Sequence, residues 1–144
     1  MKKAVLVLSG TLTLVCGLVV PGALGASAQP APAGPKVVVE VKTQSKTLLQ
    51  PTKTRGEKGW ITKGGTPKGK CPGNSAAGAL DSATNGRWTG KYYASVQGIF
   101  ITSILGVKPH GKHYWGFFVN GKASNTGICG VKLARGQHLL FKIV

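Results

Sequence analysis

The chain has 144 residues, of which 19 are basic and three are acidic, so its formal net charge is +16. Its length suits one domain with a modest core, and its charge favours polyanionic partners. The carboxylates at Glu40, Glu57 and Asp81 are too scattered to predict an acid–base pair, and no phosphate-cradling glycine motif is present. The sequence therefore predicts a protein that is not an enzyme.

The first 28 residues have the pattern of a signal peptide. Lys2 and Lys3 precede an apolar run over residues 4–20, and a small-x-small cleavage signal ends at Ala28 before Gln29. Cleavage removes two of the basic residues and leaves a formal net charge of +14. We therefore expect a secreted chain that begins at Gln29 and is extracellular or associated with the cell wall.

Two other interpretations of this segment are less favoured. A retained membrane anchor needs a longer apolar run, and this one stops at Pro21. A lipid anchor on Cys16 needs a small residue before the cysteine, whereas Val15 is bulky. We expect no stable membrane anchor after cleavage, and predict a Pro/Ala linker over residues 29–35 followed by a folded domain over residues 36–144.

The folded region alternates β-prone runs with turn residues. Pro51 interrupts the second predicted strand and indicates a sheet edge, and Glu40 in the first strand is predicted to face an edge. Ser75 is the predicted cap of an alanine-rich helix that stops at Asn85. The predicted strands cover residues 37–41, 47–54, 92–96, 99–105, 114–119, 131–133 and 139–144, and the predicted helix covers residues 76–84. This order predicts an α+β fold with one helix packed across a sheet.

Two cysteines remain in the exported chain, Cys71 and Cys129. An even pair in an oxidising compartment predicts a disulfide, which the chain-entropy model values at about 4 kcal/mol for a loop of this length. The alternative is a zinc site, but the sequence lacks a second cysteine pair, and His110 and His113 lie among lysines. We predict one disulfide and no metal site.

A basic, glycine-rich segment lies between the second predicted strand and the helix. An aromatic ring flanked by cations is a typical element of single-stranded nucleic-acid binding. The candidate polyanion-binding residues are Lys53, Arg55, Lys58, Trp60, Lys63, Lys68 and Lys70. We predict a mobile loop that binds an anionic wall polymer or another polyanion. The alternative is a solvated cationic surface that only confers solubility.

An aromatic run ends in the strongest turn signal of the chain. Residues 114–119 are β-prone, and the Asn-Gly pair that follows them favours a two-residue hairpin loop with positive φ. Both faces of this strand are apolar, so we predict a central strand whose rings mostly belong to the core. The alternative is a ligand site, for which the candidates are Tyr114, Trp115, Phe117, Asn120 and Gly121.

The order of these motifs resembles the transcobalamin-like C-terminal domain family. The resemblance rests on Ala-Leu-Asp-Ser-Ala-Thr, Ile-Thr-Ser-Ile-Leu-Gly-Val, Tyr-Trp-Gly-Phe-Phe-Val-Asn-Gly-Lys and Gly-Ile-Cys, and it covers residues 37–144. It implies a β-grasp-like module with a mixed or antiparallel sheet, found in exported bacterial proteins and in animal vitamin B12 carriers. The carriers hold cobalamin against a large helical domain, for which this sequence has no counterpart. Arg135-Gly136-Gln137 stands where many relatives have an acidic turn.

Two classes of function follow from the sequence. The first is a secreted, non-catalytic module that binds an anionic wall polymer or another polyanion and has no resident cofactor. Cobalamin is an alternative ligand, by resemblance only. The second class is a structural or adhesive domain that mediates protein–protein contacts. Salt-sensitive binding would indicate the first class, and a salt-insensitive interface would indicate the second. The sequence makes no prediction of oligomeric state.

Overall fold

The computed structural model describes residues 33–63, 69–96 and 98–144. The predicted signal peptide, residues 29–32 of the predicted linker and Lys68 lie outside the described residues. The elements are, in chain order, β1 (Ala33–Lys42), β2 (Thr47–Gly56), β3 (Trp60–Ile61), β4 (Cys71–Pro72), α1 (Ala76–Thr84), β5 (Trp88–Tyr93), a 3₁₀ helix (Ala94–Val96), β6 (Gly98–Ile104), β7 (Trp115–Val119), β8 (Lys122–Ala123) and β9 (His138–Ile143). The first strand therefore begins three residues before the predicted start of the domain.

The main sheet has five strands in the order β2-β1-β9-β7-β8. β1 and β9 pair in parallel, and β2 and β7 pair antiparallel on either side of them. The edge strand β2 contains Pro51, as predicted. Two smaller sheets, β3-β4 and β5-β6, have two strands each, and α1 packs against β2 and β1. The mixed sheet, the helix across it and the central pairing of its first and last strands confirm the predicted α+β, β-grasp-like fold.

Alternate residues of the two central strands point to opposite sides of the sheet. The residues directed towards α1 are buried and apolar, and we call this side the covered face: Val37, Val39, Val41, Leu139, Phe141 and Ile143. The residues directed away from α1 are mostly half-buried, and we call that side the open face: Val38, Glu40, Lys42, His138, Leu140 and Lys142. This period of two follows from the pleat of a β-strand, in which successive side chains alternate.

The helix α1 begins and ends where the sequence predicts. Asn85 follows it in the left-handed conformation, with φ of 51°, and ends the helix. Ser75 occupies the N-cap position, but its side chain makes no capping hydrogen bond. Its Oγ instead donates to the Pro72 carbonyl oxygen at 2.6 Å. The predicted serine side-chain cap is therefore wrong, because the hydroxyl stabilises the turn before the helix.

The turn before α1 and the disulfide hold the helix in position. A Cβ atom on Gly78 would lie 1.8 Å from the Gly73 carbonyl oxygen, so this close contact requires glycine in the helix. Cys71, two residues before that turn, is bonded to Cys129, which confirms the predicted disulfide. The bond connects β4 to the segment that follows β8 and therefore joins two parts of the chain that are distant in sequence.

Two predicted strands have different positions in the structure. β5 covers Trp88–Tyr93 instead of residues 92–96, because Trp88 is buried and pairs with Ile104 of β6. Residues 131–133 do not form a strand, since Lys132 makes only an isolated bridge to Ser75. In both places a long-range contact, rather than the local β propensity, determines the backbone conformation.

The predicted positions of β7 and of Glu40 in the sheet are also wrong. β7 lies between β9 and the two-residue strand β8, one strand from the edge, and is not central. Glu40 does not face an edge: it lies in the central strand β1 with 6% exposure. Both errors have one cause, because the parallel pairing of the first and last strands leaves no local sequence signal.

Among the described residues, no helix is long and apolar enough to cross a membrane.

Candidate functional site

The basic segment from residue 53 to residue 70 does not form one loop. Lys53 and Arg55 belong to β2, whereas Trp60 belongs to β3, which pairs with β4. Ile61 is a buried core residue, so this segment also supports the fold. The expected single loop is therefore wrong, because the start of the segment belongs to β2 and its middle forms β3, which pairs with β4 just after the segment. Lys58, Trp60 and Lys70 are exposed, as a binding residue should be.

Lys63 has contacts within the protein that the sequence did not reveal. Its Nζ donates to the Gly86 carbonyl oxygen, lies 3.6 Å from Asp81 Oδ1 and is 5.8 Å from the centroid of the Trp88 ring. Asp81 also accepts a hydrogen bond from Trp88 Nε1 at 2.7 Å. The ammonium group of Lys63 therefore helps to hold the end of α1 against β5, which leaves it less available to an external anion.

A cleft with a cavity volume of about 410 Å³ opens beside the start of β1. Val38 and Lys53 are cross-strand partners, and Arg55 lies two residues further along β2, so one side of the cleft belongs to the open face. The cleft is lined by Pro35, Lys36, Val37, Val38, Lys53, Arg55, Arg135 and Gly136. Four of these residues are cationic and none is acidic. We call this site the cationic cleft.

Backbone hydrogen bonds hold the walls of the cationic cleft together. Gly136 N donates to the Lys36 carbonyl oxygen at 3.0 Å, and Val38 N donates to the Gln137 carbonyl oxygen at 2.8 Å. Gly136 has φ of +77°, a conformation that glycine adopts without strain, and this allows the tight turn that carries Arg135. The turn before β9 is therefore fixed against β1, and cations distant in sequence share one cavity.

Arg55 has a second role in this cleft. Its Nη1 donates to the Gly34 carbonyl oxygen at 2.7 Å, so part of the guanidinium group ties β2 to the start of β1. A guanidinium has five N–H donors, and the others remain for a ligand. Lys36, Lys53 and Arg135 are exposed. Arg55 is thus the anchored cation of the cleft, and the other three are directed to solvent.

The carboxylate nearest to the cleft in the sheet is already paired. Glu40 lies two residues after Val38 on the open face, and its oxygens lie 2.6 Å from Lys42 Nζ and 3.1 Å from His138 Nε2. Its side chain is only 8% exposed. Because Glu40 is held by two basic groups of its own face, it leaves the positive charge of the cleft without a local counterion.

The five aromatic-hairpin candidates have separate structural roles. Trp115 is 4% exposed, and Phe117 is stacked on Phe141 with ring centroids 5.0 Å apart. Asn120 Oδ1 accepts from His138 N at 2.9 Å, and Asn120 and Gly121 form the hairpin turn with φ of 50° and 80°. Tyr114 is 50% exposed. These residues mainly build the core and the turn, and of the five only Tyr114 presents an exposed ring.

Sequence reasoning missed two cations of the cleft and one exposed aromatic pair. Lys36 and Arg135 join the site only through the pairing of β1 with β9, and the sole sequence signal was the Arg-Gly turn itself. On the β5–β6 hairpin, the Tyr93 and Phe100 rings contact each other edge-to-face at 6.3 Å, and Lys91 Nζ lies 5.5 Å from the Tyr93 ring centroid. No group of three or more His, Cys, Asp or Glu side chains suited to a metal occurs in the described ranges.

Comparison with solved structures supports the fold. One match is a protein described as a putative metal binding protein from Ruminococcus gnavus ATCC 29149, with a TM-score of 0.56 and 12% identity over 77% of this chain and 97% of that chain. Another is haptocorrin in complex with Cbi, with a TM-score of 0.52 and 15% identity over 76% of this chain. The chain spans only 25% of the haptocorrin chain. The likeness shows a transcobalamin-like fold relationship.

Comparison with sequence families gives a more direct assignment. No curated protein matches the chain significantly. The model of the family described as "Domain of unknown function (DUF4430)" matches residues 73–144, which is half of the chain. The matched region runs from the turn before α1 to the end of β9 and so includes the disulfide partner Cys129 and the turn at Arg135. The chain therefore belongs to the DUF4430 family.

Proposed function

We propose that this protein is a secreted, non-catalytic module that binds an anionic polymer of the cell surface. The observation that carries the proposal is that, in the described residues, the carboxylates are mostly paired with basic groups while many cations are exposed. Two of the three carboxylates, Glu40 and Asp81, lie in contacts with basic side chains. The exposed cations are Lys36, Lys46, Lys53, Lys58, Lys70, Arg87, Lys91, Lys108, Lys112, Lys122, Lys132 and Arg135. A surface of this kind attracts polyanions over a distance of about one Debye length.

Retention on immobilised polymers tests this function. The secreted chain from Gln29 would be passed over purified cell wall, heparin and an uncharged dextran matrix at increasing salt. We expect retention on the two anionic matrices, decreasing as salt rises, because each released counterion adds to the salt dependence. Equal retention on dextran, or retention that salt does not change, would favour a protein-contact or adhesive role instead.

Binding of cobalamin is the second candidate function. The observation that favours it is the fold likeness to haptocorrin, a protein whose structure was determined in complex with Cbi. Equilibrium dialysis of the secreted chain against cobalamin, with visible absorbance as the readout, separates the two candidates. Saturable binding at one site per chain would support the cobalamin candidate. A free cobalamin concentration equal on both sides of the membrane would remove it.

Processing at Gln29 is part of the proposal. The prolines that follow the predicted cleavage site disfavour a continuous helix, so the site should be accessible to a signal peptidase. Intact-mass measurement of protein from the culture medium checks this expectation. A chain that retains residues 1–28, or that carries a lipid on Cys16, would contradict it.

A further inference from the structure

We propose that the cationic cleft is a discrete site for neighbouring phosphate groups, such as those of a short oligophosphate or a phosphodiester repeat. This inference rests on the proposed function and assigns one place on the molecule to the recognition of the polymer. The rest of the basic surface then supplies long-range attraction, which has little geometric preference.

The charge of the cleft indicates the class of ligand. Lys36, Lys53, Arg55 and Arg135 bring four positive charges to one cavity of about 410 Å³, with no acidic residue in its lining. A single carboxylate neutralises only one of them. A terminal phosphate carries about −1.5 to −2 charges and a phosphodiester about −1, so a run of two to four neighbouring phosphates matches the charge of the site.

The donor types also suit phosphate. A guanidinium is a planar fork that binds phosphate oxygens in a bidentate manner, whereas an ammonium acts as a point charge. The cleft combines two of each kind: Arg55 and Arg135 with Lys36 and Lys53. Because Arg55 is already fixed by its hydrogen bond to Gly34, it loses less side-chain freedom on binding than a solvated arginine would.

The shape of the cleft limits the length of the ligand. Its volume lies in the range of small-molecule sites, about 300–1,000 Å³, and is too small for more than a short segment of a polymer. Pro35 and Val38 supply apolar wall between the cations. An apolar wall suits the carbon linker between two phosphodiester groups, while the cationic rim suits the phosphates themselves.

The neighbouring strands keep the cleft in this arrangement. The turn that carries Arg135 is bonded to Lys36 through Gly136 N, and β1 is paired on both sides, with β2 and with β9. The cations therefore project from backbone that is already ordered, which lowers the entropy lost on binding. A solvated lysine on an exposed loop lacks this advantage.

Two triple variants of the secreted chain test the site at equal net charge. The cleft variant combines Lys36→Gln, Lys53→Gln and Arg135→Gln, and it leaves Arg55 in place because Arg55 supports the fold. The control variant combines Lys46→Gln, Lys108→Gln and Lys122→Gln, three exposed lysines outside the cleft. Each variant loses three positive charges, so any difference between them reports position and not net charge.

Tripolyphosphate is the probe, and binding is measured by isothermal titration calorimetry at physiological salt. We expect a drop in affinity of at least about tenfold for the cleft variant, and a change within about threefold for the control, because direct charge-assisted contacts weaken less with salt than remote attraction does. Thermal unfolding of both variants verifies that they are folded. Equal losses in the two variants would overturn the discrete site.

Further experiments distinguish a polymer from a lipid surface as the source of the phosphate, and distinguish failure of the cleft from failure of the proposed function. Poly(glycerol phosphate) and vesicles of phosphatidylglycerol present the same group on a polymer and on a lipid surface; we expect the cleft variant to lose more polymer binding than vesicle binding. If the wild type were retained on cell wall but did not bind tripolyphosphate, the cleft would not be a phosphate site, and the proposed function would still hold. Tripolyphosphate binding at the cleft without retention on any polymer would do the reverse.

Discussion

The covered and open faces of the main sheet come from the same strands but have opposite character. On the covered face, Val39, Leu139 and Phe141 are completely buried in the core. On the open face, Val38, His138 and Lys142 are half-buried. Because side chains alternate along a strand, neighbouring residues of β1 and β9 belong to different environments. The difference teaches that alternate positions of one backbone serve the core and the surface on which we propose binding.

The composition of α1 explains how closely the helix covers one face of the sheet. Ala76, Ala79 and Leu80 are fully buried, and small side chains let the helix axis approach the sheet. The open face instead carries Glu40, which is held by Lys42 and His138 of the same face. Among the described residues, these charges of the open face therefore pair with one another along the surface of the sheet.

The largest expected effect comes from truncating the core of the covered face. Phe141→Ala should lower the free energy of unfolding by about 3–5 kcal/mol, because Phe141 is completely buried and stacked on Phe117. The matched control is Leu140→Ala, one residue earlier and on the open face, where Leu140 is half-buried. We expect a cost of about 1 kcal/mol there. Urea unfolding of both variants measures the difference, and similar costs would contradict the assignment of the two faces.

The disulfide should have the second-largest effect. Cys71 and Cys129 are separated by 58 positions, and replacing both by alanine should cost about 2–5 kcal/mol of folding stability. The bond lies on the side of the molecule that holds α1, so its loss should destabilise the covered side. Hydrogen exchange gives the regional readout. Faster exchange in α1 and β4, with little change in β1 and β9 at low denaturant, is the expected result; two free thiols in the oxidised wild type would show that no bond exists.

Much of this fold could be predicted because its signals are local. The helix Ala76–Thr84, its end at Asn85 and the hairpin at Asn120 each depend on residues within a few positions of one another. The disulfide was predicted by counting the cysteines that remain after the predicted signal peptide. The positions of Glu40 and β7 could not be predicted, since they depend on the parallel pairing of β1 with β9 across almost the whole domain.

The candidate site was predictable only in part, for the same reason. Lys53 and Arg55 stood out because they lie in a dense basic segment. Lys36 and Arg135 lie far apart in the sequence, and only the sheet brings them together. Lys63 shows the opposite error. It belongs to the same basic segment and was a candidate for polyanion binding, but in the structure its ammonium group forms an ion pair with Asp81. Charge density along a sequence indicates a basic surface, while the position of a site on that surface depends on topology.

A smaller effect on stability tests whether the hydrogen bond from Trp88 to Asp81 helps to hold α1 in place. Trp88 and Trp115 are both buried, at 2% and 4% exposure. Trp88 Nε1 donates to Asp81 of α1, whereas Trp115 Nε1 has no hydrogen-bond partner among the described residues. Trp88→Phe should therefore cost about 1–2 kcal/mol more than Trp115→Phe, because it removes the indole donor of Asp81 and leaves that half-buried carboxylate with its contact to Lys63 at 3.6 Å. Urea unfolding measures both, and an equal or larger cost for Trp115→Phe would show that the bond to Asp81 adds nothing.

The smallest effect on stability should accompany a clear effect on binding. Lys53 is exposed on β2 and makes no salt bridge among the described residues, so Lys53→Gln should change the free energy of unfolding by less than about 0.5 kcal/mol. Its loss should nevertheless reduce the slope of log affinity against log salt for poly(glycerol phosphate) by about 0.7–0.9, the value for one phosphate contact in nucleic acids. Lys122→Gln, an exposed lysine outside the cleft, should leave that slope nearly unchanged. Retention on the polymer across a salt series gives both slopes, and urea unfolding gives both stabilities. If Lys53→Gln destabilised the fold by more than about 1 kcal/mol, or if the two slopes fell equally, the open face would not be the separate binding surface that its exposure and charge indicate.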